Sequence, residues 1–348
     1  MKCLFCSNKK KIKFSNLPLF RHLDFKSTHK SSKFIICKRC GHLSSKEIKK
    51  NQFLKTSQYA NSNQTNKKIL VKNKLIKDRI YYQNKIIKEI VKKKKKINFL
   101  DIGCFDGLLL KKLSQNFKDS KFYGLDNNKY LKNKFPTKNN FYFNLNINEL
   151  DKKISFDIII LSHSIMYIEK LDKILDILRS KLKDNGRIII HTPNYEKNPY
   201  YYLMSDNFHF INTKNIQNIF SLFNLSVTTL KKNYLQNESI FIAKKTNKKF
   251  KIKKIKKNYY ENLLKKIIII KNKINKIKSN NIIVKGTTIK SAFVDHFLKC
   301  KVLFFIDDDK KKIGQKFRSK KILNISKKEI NKKNMHLIDT TKDFRWHI

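Results

Sequence analysis

Two cysteine pairs, one glycine-bearing loop and two histidines are the parts of this 348-residue sequence whose residue types and spacing could do chemistry. Cys3-x-x-Cys6 and Cys37-x-x-Cys40 stand 30 residues apart. Each pair offers two thiolates on one tight turn, and two such turns supply the tetrahedral four-sulfur shell that Zn²⁺ prefers. Four cysteines complete that shell and leave no open position, so the expected Zn²⁺ is structural. His22, His29 and His42 are substitute ligands that the four sulfurs make unnecessary, and Cys104 and Cys300 read as ordinary thiols. No apolar leader follows Met1, and no apolar run reaches the ~18–20 residues that span a bilayer. The expectation is a cytoplasmic protein, where disulfides are disfavoured.

The stretch NFLDIGCFDGLLL, residues 98–110, is an apolar run, a loop with two glycines and a second apolar run. A strand that feeds a glycine loop and then a helix is a device for holding a ribose or an anion. The glycines let the backbone approach the ligand, and the helix start presents free N–H groups. Two features argue against a dinucleotide. The spacing Asp101-x-Gly103-x-x-x-Gly107 lacks the third glycine of a pyrophosphate cradle. Asp101, two residues ahead of Gly103, suits an ammonium group better than a phosphate. In YGLDNN the next apolar run ends at Asp126, 23 residues after Gly103, where an acid accepts hydrogen bonds from ribose hydroxyls. A ribose, a cationic amino-acid portion and no pyrophosphate together describe S-adenosylmethionine.

These residues need a scaffold, and the apolar pattern supplies one. Short apolar runs at 97–102, 121–125, 140–144, 156–161, 186–191 and 239–243 alternate with helical patterns, as in an open α/β sheet. Ahead of them Leu75, Ile76, Ile80, Ile86, Ile87 and Ile90 recur at helical spacing, followed by a lysine run at 92–96 that reads as a solvated hinge. Past a lysine-rich helical stretch, a second strand–glycine–helix unit begins with NIIVKG, IKSAFVDHFLK and KVLFFID. The expected organisation is a zinc-binding module at 1–50, a helical connector at 51–94, an S-adenosylmethionine-binding domain at 95–245, a helical linker at 246–280 and a C-terminal α/β domain at 281–348.

Residues 95–245 resemble the class I S-adenosylmethionine-dependent methyltransferases, whose motifs appear here in order. FLDIGCFDG is similar to the first motif, YGLDNN to the second and NLNINEL to the third. FDIIILSHSIMYIEKLDKIL looks like the fourth, and LRSKLKDNGRIIIHTPN like the approach to strand five. The resemblance implies a Rossmann-like α/β core whose cofactor residues are Asp101, Gly103, Phe105, Gly107, Asp126, Asn127, Asn146 and Ser162, with His163 beside the cofactor as a catalytic candidate. With its flanks, the chain looks like the three-part sugar C-methyltransferases, which act on nucleotide-linked deoxysugars. The C-terminal match rests on Gly286, Lys290, Asp307 and Gly314. That family places an acid–histidine pair after strand five, and the corresponding stretch here, residues 200–216, has none. Asn207 falls near the expected histidine, and His209 is the base candidate that remains there; Tyr200, Tyr201 and Tyr202 could line a sugar pocket.

The net charge of +54 points by itself to nucleic acid or an anionic membrane surface. Only seven basic residues are arginine, however, and dedicated nucleic-acid surfaces favour its bidentate fork. Abundant Lys, Asn and Ile with scarce Gly, Pro and Trp reflect codons poor in G and C. The expected function is therefore methylation of a nucleotide-linked sugar or glycan precursor, at carbon by the resemblance, with oxygen or nitrogen as other acceptors. The alternative is an RNA methyltransferase gripping its substrate with zinc knuckles and lysines. A non-enzymatic scaffold would not have kept Gly103 and Gly107 against the same codon pressure.

Overall fold

The computed structural model describes residues 2–9, 11–15, 17–21, 25, 27–29, 33–45, 52–61, 68–71, 74–91, 96–231, 235, 237–279, 281–310, 312–325, 327–332 and 334–341. Residues 92–95 of the lysine run and His22 lie outside them. The chain divides into two units, one of residues 1–13, 35–197 and 207–255, the other of residues 14–34, 198–206 and 256–348.

The first unit is built on helix α1 (Arg79–Val91) and a seven-stranded sheet. Its strands are β1 (Asn98–Ile102), β2 (Lys121–Leu125), β3 (Phe141–Asn144), β4 (Phe156–Ser162), β5 (Leu182–Pro193), β6 (Leu225–Thr229) and β7 (Glu238–Lys245), with helices α2 (Leu108–Ser114), α3 (Leu171–Lys181) and α4 (Ile216–Ser221) between them. The order is β3-β2-β1-β4-β5-β7-β6. β3 through β5 run parallel, and β7 is inserted antiparallel between β5 and β6. Strands buried on both faces read as unbroken apolar runs, as FDIIILS does. Alternate residues still serve opposite faces. Leu100, Ile159, Leu161 and Ile188 join one core with Leu171, Leu175 and Leu178 of α3, spaced on a single helical stripe. Phe99, Phe122, Ile158, Ile160 and Ile189 join the other, with Ile86 and Ile87 of α1 and Leu110 and Leu113 of α2. Chain connections leave β1 in opposite directions across the sheet, so a crevice opens at the carboxyl ends of β1 and β4, where such sheets bind ligands.

Three sequence expectations change. The helical pattern read from Leu75 starts only at Arg79, because Lys68–Val71 and Lys74–Asp78 pair as a hairpin and the Asp78 carboxylate caps the helix by accepting from the Tyr81 N–H at 2.7 Å. β5 starts at Leu182 instead of 186, with a register break that absorbs Asp184-Asn185-Gly186. β6, LSVTT, escapes the apolar pattern because Thr228 and Thr229 of this edge strand face water.

In the second unit, α5 (Lys257–Ile274) buries Tyr260, Leu263, Leu264, Ile267 and Ile274 along one stripe. A five-stranded sheet follows, from β8 (Ile282–Lys285), β9 (Val302–Ile306), β10 (Lys316–Phe317), β11 (Lys320–Leu323) and β12 (His336–Asp339), in the order β10-β11-β9-β8-β12. Helix α6 (Ile289–Phe297) connects β8 to β9. Among the described residues no helix is long and apolar enough to cross a membrane.

Candidate cofactor and catalytic site

The crevice is lined first by the loop after β1. Gly103 (φ +74°) and Cys104 both donate to the Leu125 carbonyl, at 2.7 and 3.2 Å, which ties the loop to the end of β2. A Cβ at Gly103 would sit 2.5 Å from the Ser164 Cβ, so only glycine lets the segment after β4 lie against this loop. Gly107 starts α2. Phe105 donates its N–H to Asp126 Oδ2 at 3.1 Å, and its ring meets the edge of Tyr59 at 5.4 Å. Residues 54–60 close over this side: Asn128, fully buried, donates through Nδ2 to the Leu54 and Thr56 carbonyls at 2.8 and 3.0 Å. Asn127, expected at the cofactor, is exposed; Asn128 and Tyr59 are the residues built into this side, and their partners lie 72 and 74 positions away for Asn128 and at Phe105 for Tyr59.

Three carboxylates converge on the loop. Asp126 also accepts from the Asn128 N–H at 3.0 Å; burial nevertheless raises its pKa to about 6, against the two N–H groups that favour its charge. Asp101 is buried, and its Oδ1 has no hydrogen-bond partner among the described residues. Burial, then the nearby Asp126 and Asp106, push its pKa up to about 8. A buried, orphaned carboxylate held against its preference for water is a site for a cation or a hydrogen-bond donor. The ammonium and ribose groups of S-adenosylmethionine fit that demand. Asn146 is exposed and caps the short helix after β3, its Oδ1 accepting from the Asn148 N–H at 3.1 Å.

On the other side of the crevice, Ser162 ends β4 and accepts from Gln83 Nε2 at 2.6 Å. His163 follows in a left-handed conformation (φ +54°), and its Nε2 lies 3.0 Å from Glu238 Oε2 at the start of β7. Arg79 Nε holds the other oxygen of Glu238 at 2.7 Å. Burial alone would raise the Glu238 pKa, yet His163 and Arg79 hold it well below the ordinary carboxylate range. His191, on β5, is fully buried with neither ring nitrogen hydrogen-bonded among the described residues, and burial lowers its pKa to about 4.

His209, the other base candidate, is placed differently. It is 3% exposed; Nδ1 lies 3.0 Å from His42 Nε2, and Nε2 lies 2.9 Å from the Ile168 carbonyl. Phe5 packs against both histidines, at 4.7 Å from His42 and 5.6 Å from His209. With both nitrogens engaged and burial pushing its pKa down to about 4, His209 joins the cysteine turns to the core. The four cysteines come together there. Cys3 Sγ is 3.6 Å from Cys40 Sγ and Cys6 Sγ 3.4 Å from Cys37 Sγ, and all four sulfurs lie within 4.8 Å of one another. A tetrahedron of ~2.3 Å Zn–S bonds has edges of about 3.8 Å, which this cluster fits. Hydrogen bonding among the sulfurs holds Cys37 low and pushes Cys3 up to about 11, so a cation is needed before all four become thiolates.

Residues 75–230 match the family profile described as a methyltransferase domain. No curated protein matches the chain by sequence. Solved structures similar to it include the plantazolicin methyltransferase BpumL with SAH, at 13% identity over 48% of this chain and 84% of that one, TM-score 0.40. Human N-acetylserotonin methyltransferase with SAM is similar at 16% identity over 43% and 48%, TM-score 0.37. A putative type 11 methyltransferase from Sulfolobus solfataricus is similar at 20% identity over 50% and 98%, TM-score 0.40. The matched profile, the strand order and the glycine loop with its acids agree on a methyltransferase domain at residues 75–230.

Proposed function

We propose that this chain transfers the methyl group of S-adenosylmethionine to a nucleotide-linked sugar or glycan precursor, with Zn²⁺ held structurally by Cys3, Cys6, Cys37 and Cys40. The observation that carries the cofactor half is the orphaned Asp101 carboxylate beside Gly103. When bound, the cofactor supplies an electrophilic methyl on sulfonium; the chain supplies proximity and a proton acceptor. Asp101 and Asp126 hold the amino-acid and ribose ends, Phe105 and Tyr59 flank the loop, and His163 faces the acceptor. The sugar half rests on the three-part organisation and on the Gly286–Asp307 motif.

Calorimetric titration with S-adenosylhomocysteine tests the cofactor half. Binding is expected in the micromolar range and should weaken about 10- to 100-fold in Asp101→Asn, the loss of one charge-assisted hydrogen bond. No binding by the wild-type chain sinks the proposal. Radiolabelled methyl transfer to a panel of nucleotide sugars tests the acceptor. Elemental analysis should find one zinc per chain, lost in Cys37→Ser.

A further inference from the structure

Helix α5 of the second unit carries two faces of different chemistry. Its inner stripe, which includes Leu263, Ile267, Ile270 and Ile274, is buried at helical spacing and fixes the helix to its own unit. Ile268 and Ile269 fall outside that stripe and stand 41% and 56% exposed, so neither serves the core. The helix-surface neighbours of Ile269, three and four positions away on each side, are Lys265, Lys266, Asn272 and Lys273, all exposed. Lys276, exposed in the turn beyond the helix, continues the same face. Among the described residues these four lysines pair with no carboxylate. Codons poor in G and C supply lysine and isoleucine throughout the chain, but they do not account for this concentration. Residues 256–278 hold eight lysines against one acid, Glu261, whereas the whole chain holds 80 basic residues against 26 acidic ones. Nor does helix formation ask for isoleucine on the water side, since lysine, from equally G- and C-poor codons, is the better helix former.

We propose that the outer face of α5 docks on an anionic lipid bilayer. The helix lies flat, Ile268 and Ile269 enter the headgroup–acyl boundary, and Lys265, Lys266, Lys273 and Lys276 reach the lipid phosphates. At 1.5 Å per residue its 18 residues give a footprint about 27 Å long. A basic face that carries apolar side chains among its lysines suits the bilayer interface, where acyl chains take up the isoleucines and the lysine stems extend to the charged surface. A nucleic-acid backbone would satisfy the lysines alone and leave both isoleucines in water. Residues 256–278 also contain no arginine to offer a phosphate its bidentate fork. The inner stripe holds α5 folded before it meets lipid, so docking orders no new segment. Two isoleucines and four lysines make a reversible, salt-sensitive attachment. Docking requires neither cofactor nor acceptor, and this inference stands apart from the proposed methyl transfer.

Cosedimentation of the full chain with vesicles of phosphatidylcholine containing about 30% phosphatidylglycerol tests the docking face. A chain of net charge +54 is drawn to anionic vesicles from many sides, so variants are compared at the salt concentration that leaves half of the wild type bound. Ile268→Ser with Ile269→Ser, which leaves the charge unchanged, should weaken binding about 5- to 20-fold. Lys265→Gln, Lys266→Gln, Lys273→Gln and Lys276→Gln together should weaken it about 10-fold or more. The same change at four exposed lysines of the first unit, Lys118, Lys121, Lys152 and Lys153, should alter it less than about twofold. Equal losses from the two lysine sets mean unlocalised charge and overturn the proposal. Loss on the helix lysines with the isoleucines silent marks a phosphate-binding face of the kind RNA would use, and overturns it too. Ile269→Trp gives a readout that does not depend on comparing affinities, with the chain's single native tryptophan as its baseline. Its added emission should shift to the blue on these vesicles and be quenched by brominated acyl chains; emission that stays that of a ring in water overturns the proposal, and so does a wild type that fails to bind.

Discussion

The two α/β units use the same corner and put it to different ends. In the first, the N–H of Gly103 donates to the last carbonyl of β2 at 2.7 Å; in the second, the N–H of Gly286 donates to the last carbonyl of β9 at 2.7 Å. Each glycine has positive φ, and each second strand is followed by an aspartate that accepts from the backbone two residues on, at 3.0 Å in both. The difference lies in what the acids are left to do. Asp307 is taken up by Thr287 and by Lys312 at 2.9 Å, and these partners outweigh burial and keep its pKa below the ordinary value. Among the described residues Asp126 has backbone partners alone, and burial raises it to about 6. Two residues before the glycine stands Asp101 in one unit and the buried Val284 in the other. The backbone corner builds a place for a ligand; the unspent carboxylates decide whether anything is needed there.

That contrast can be broken at its largest difference by Val284→Asp. If the second corner were a dormant cofactor site, the new acid would be tolerated; a charge buried without a partner should instead cost about 3–5 kcal/mol, seen as loss of the second unit's thermal transition. Gly103→Ala should weaken S-adenosylhomocysteine binding about 100-fold, since left-handed strain of ~1–2 kcal/mol adds to the contact with Ser164. Gly286→Ala should lower thermal stability and leave that affinity within about twofold; equal effects on binding would erase the distinction between the corners. Proton linkage sharpens it further. Folded Asp101 keeps its proton up to about pH 8, whereas an unfolded aspartate releases it near pH 4, so the cofactor-free first unit should lose stability as pH rises through that window. Asp307 is depressed, so its contribution is present above about pH 4 and lost as pH falls further. S-adenosylhomocysteine, bringing an ammonium to Asp101, should release about one proton at pH 7, read from binding enthalpies in buffers of different ionisation heat; zero release counts against the Asp101 contact. Smallest is Lys312→Met, expected to cost about 1 kcal/mol or less because Lys312 is 39% exposed, with the cost fading at pH 3.

Local chemistry was legible in the sequence. The cysteine pairs meet because each is fixed by its own turn, and Asp101, Gly103 and Asp126 occupy the crevice because strand–loop–helix geometry follows from adjacent residues. Side chains that meet across the sheet were not legible. Glu238 lies 159 positions from Arg79, and His42 lies 167 from His209. His209 looked like a base because a histidine near the fifth strand is chemically suited to the task; its partners at 42 and 168 come from other elements, and no local pattern announces them. The contact of Glu238 with His163 is equally silent in the sequence, because the antiparallel insertion of β7 creates it.

The interleaving of the two units also sets an order of events at the ribosome. Residues 14–34 belong with 256–348, more than 200 positions later. At roughly 5–20 residues per second, that segment waits about 10–45 s for its partners. Leu17, Leu19 and Phe20, each 3% exposed or less in the folded chain, spend that interval uncovered. The cysteines on either side of the segment are synthesised early, so metal capture can close the chain around it as a loop before the methyltransferase sheet exists. A nascent chain stalled before α5 should therefore hold zinc while presenting those apolar residues to a chaperone.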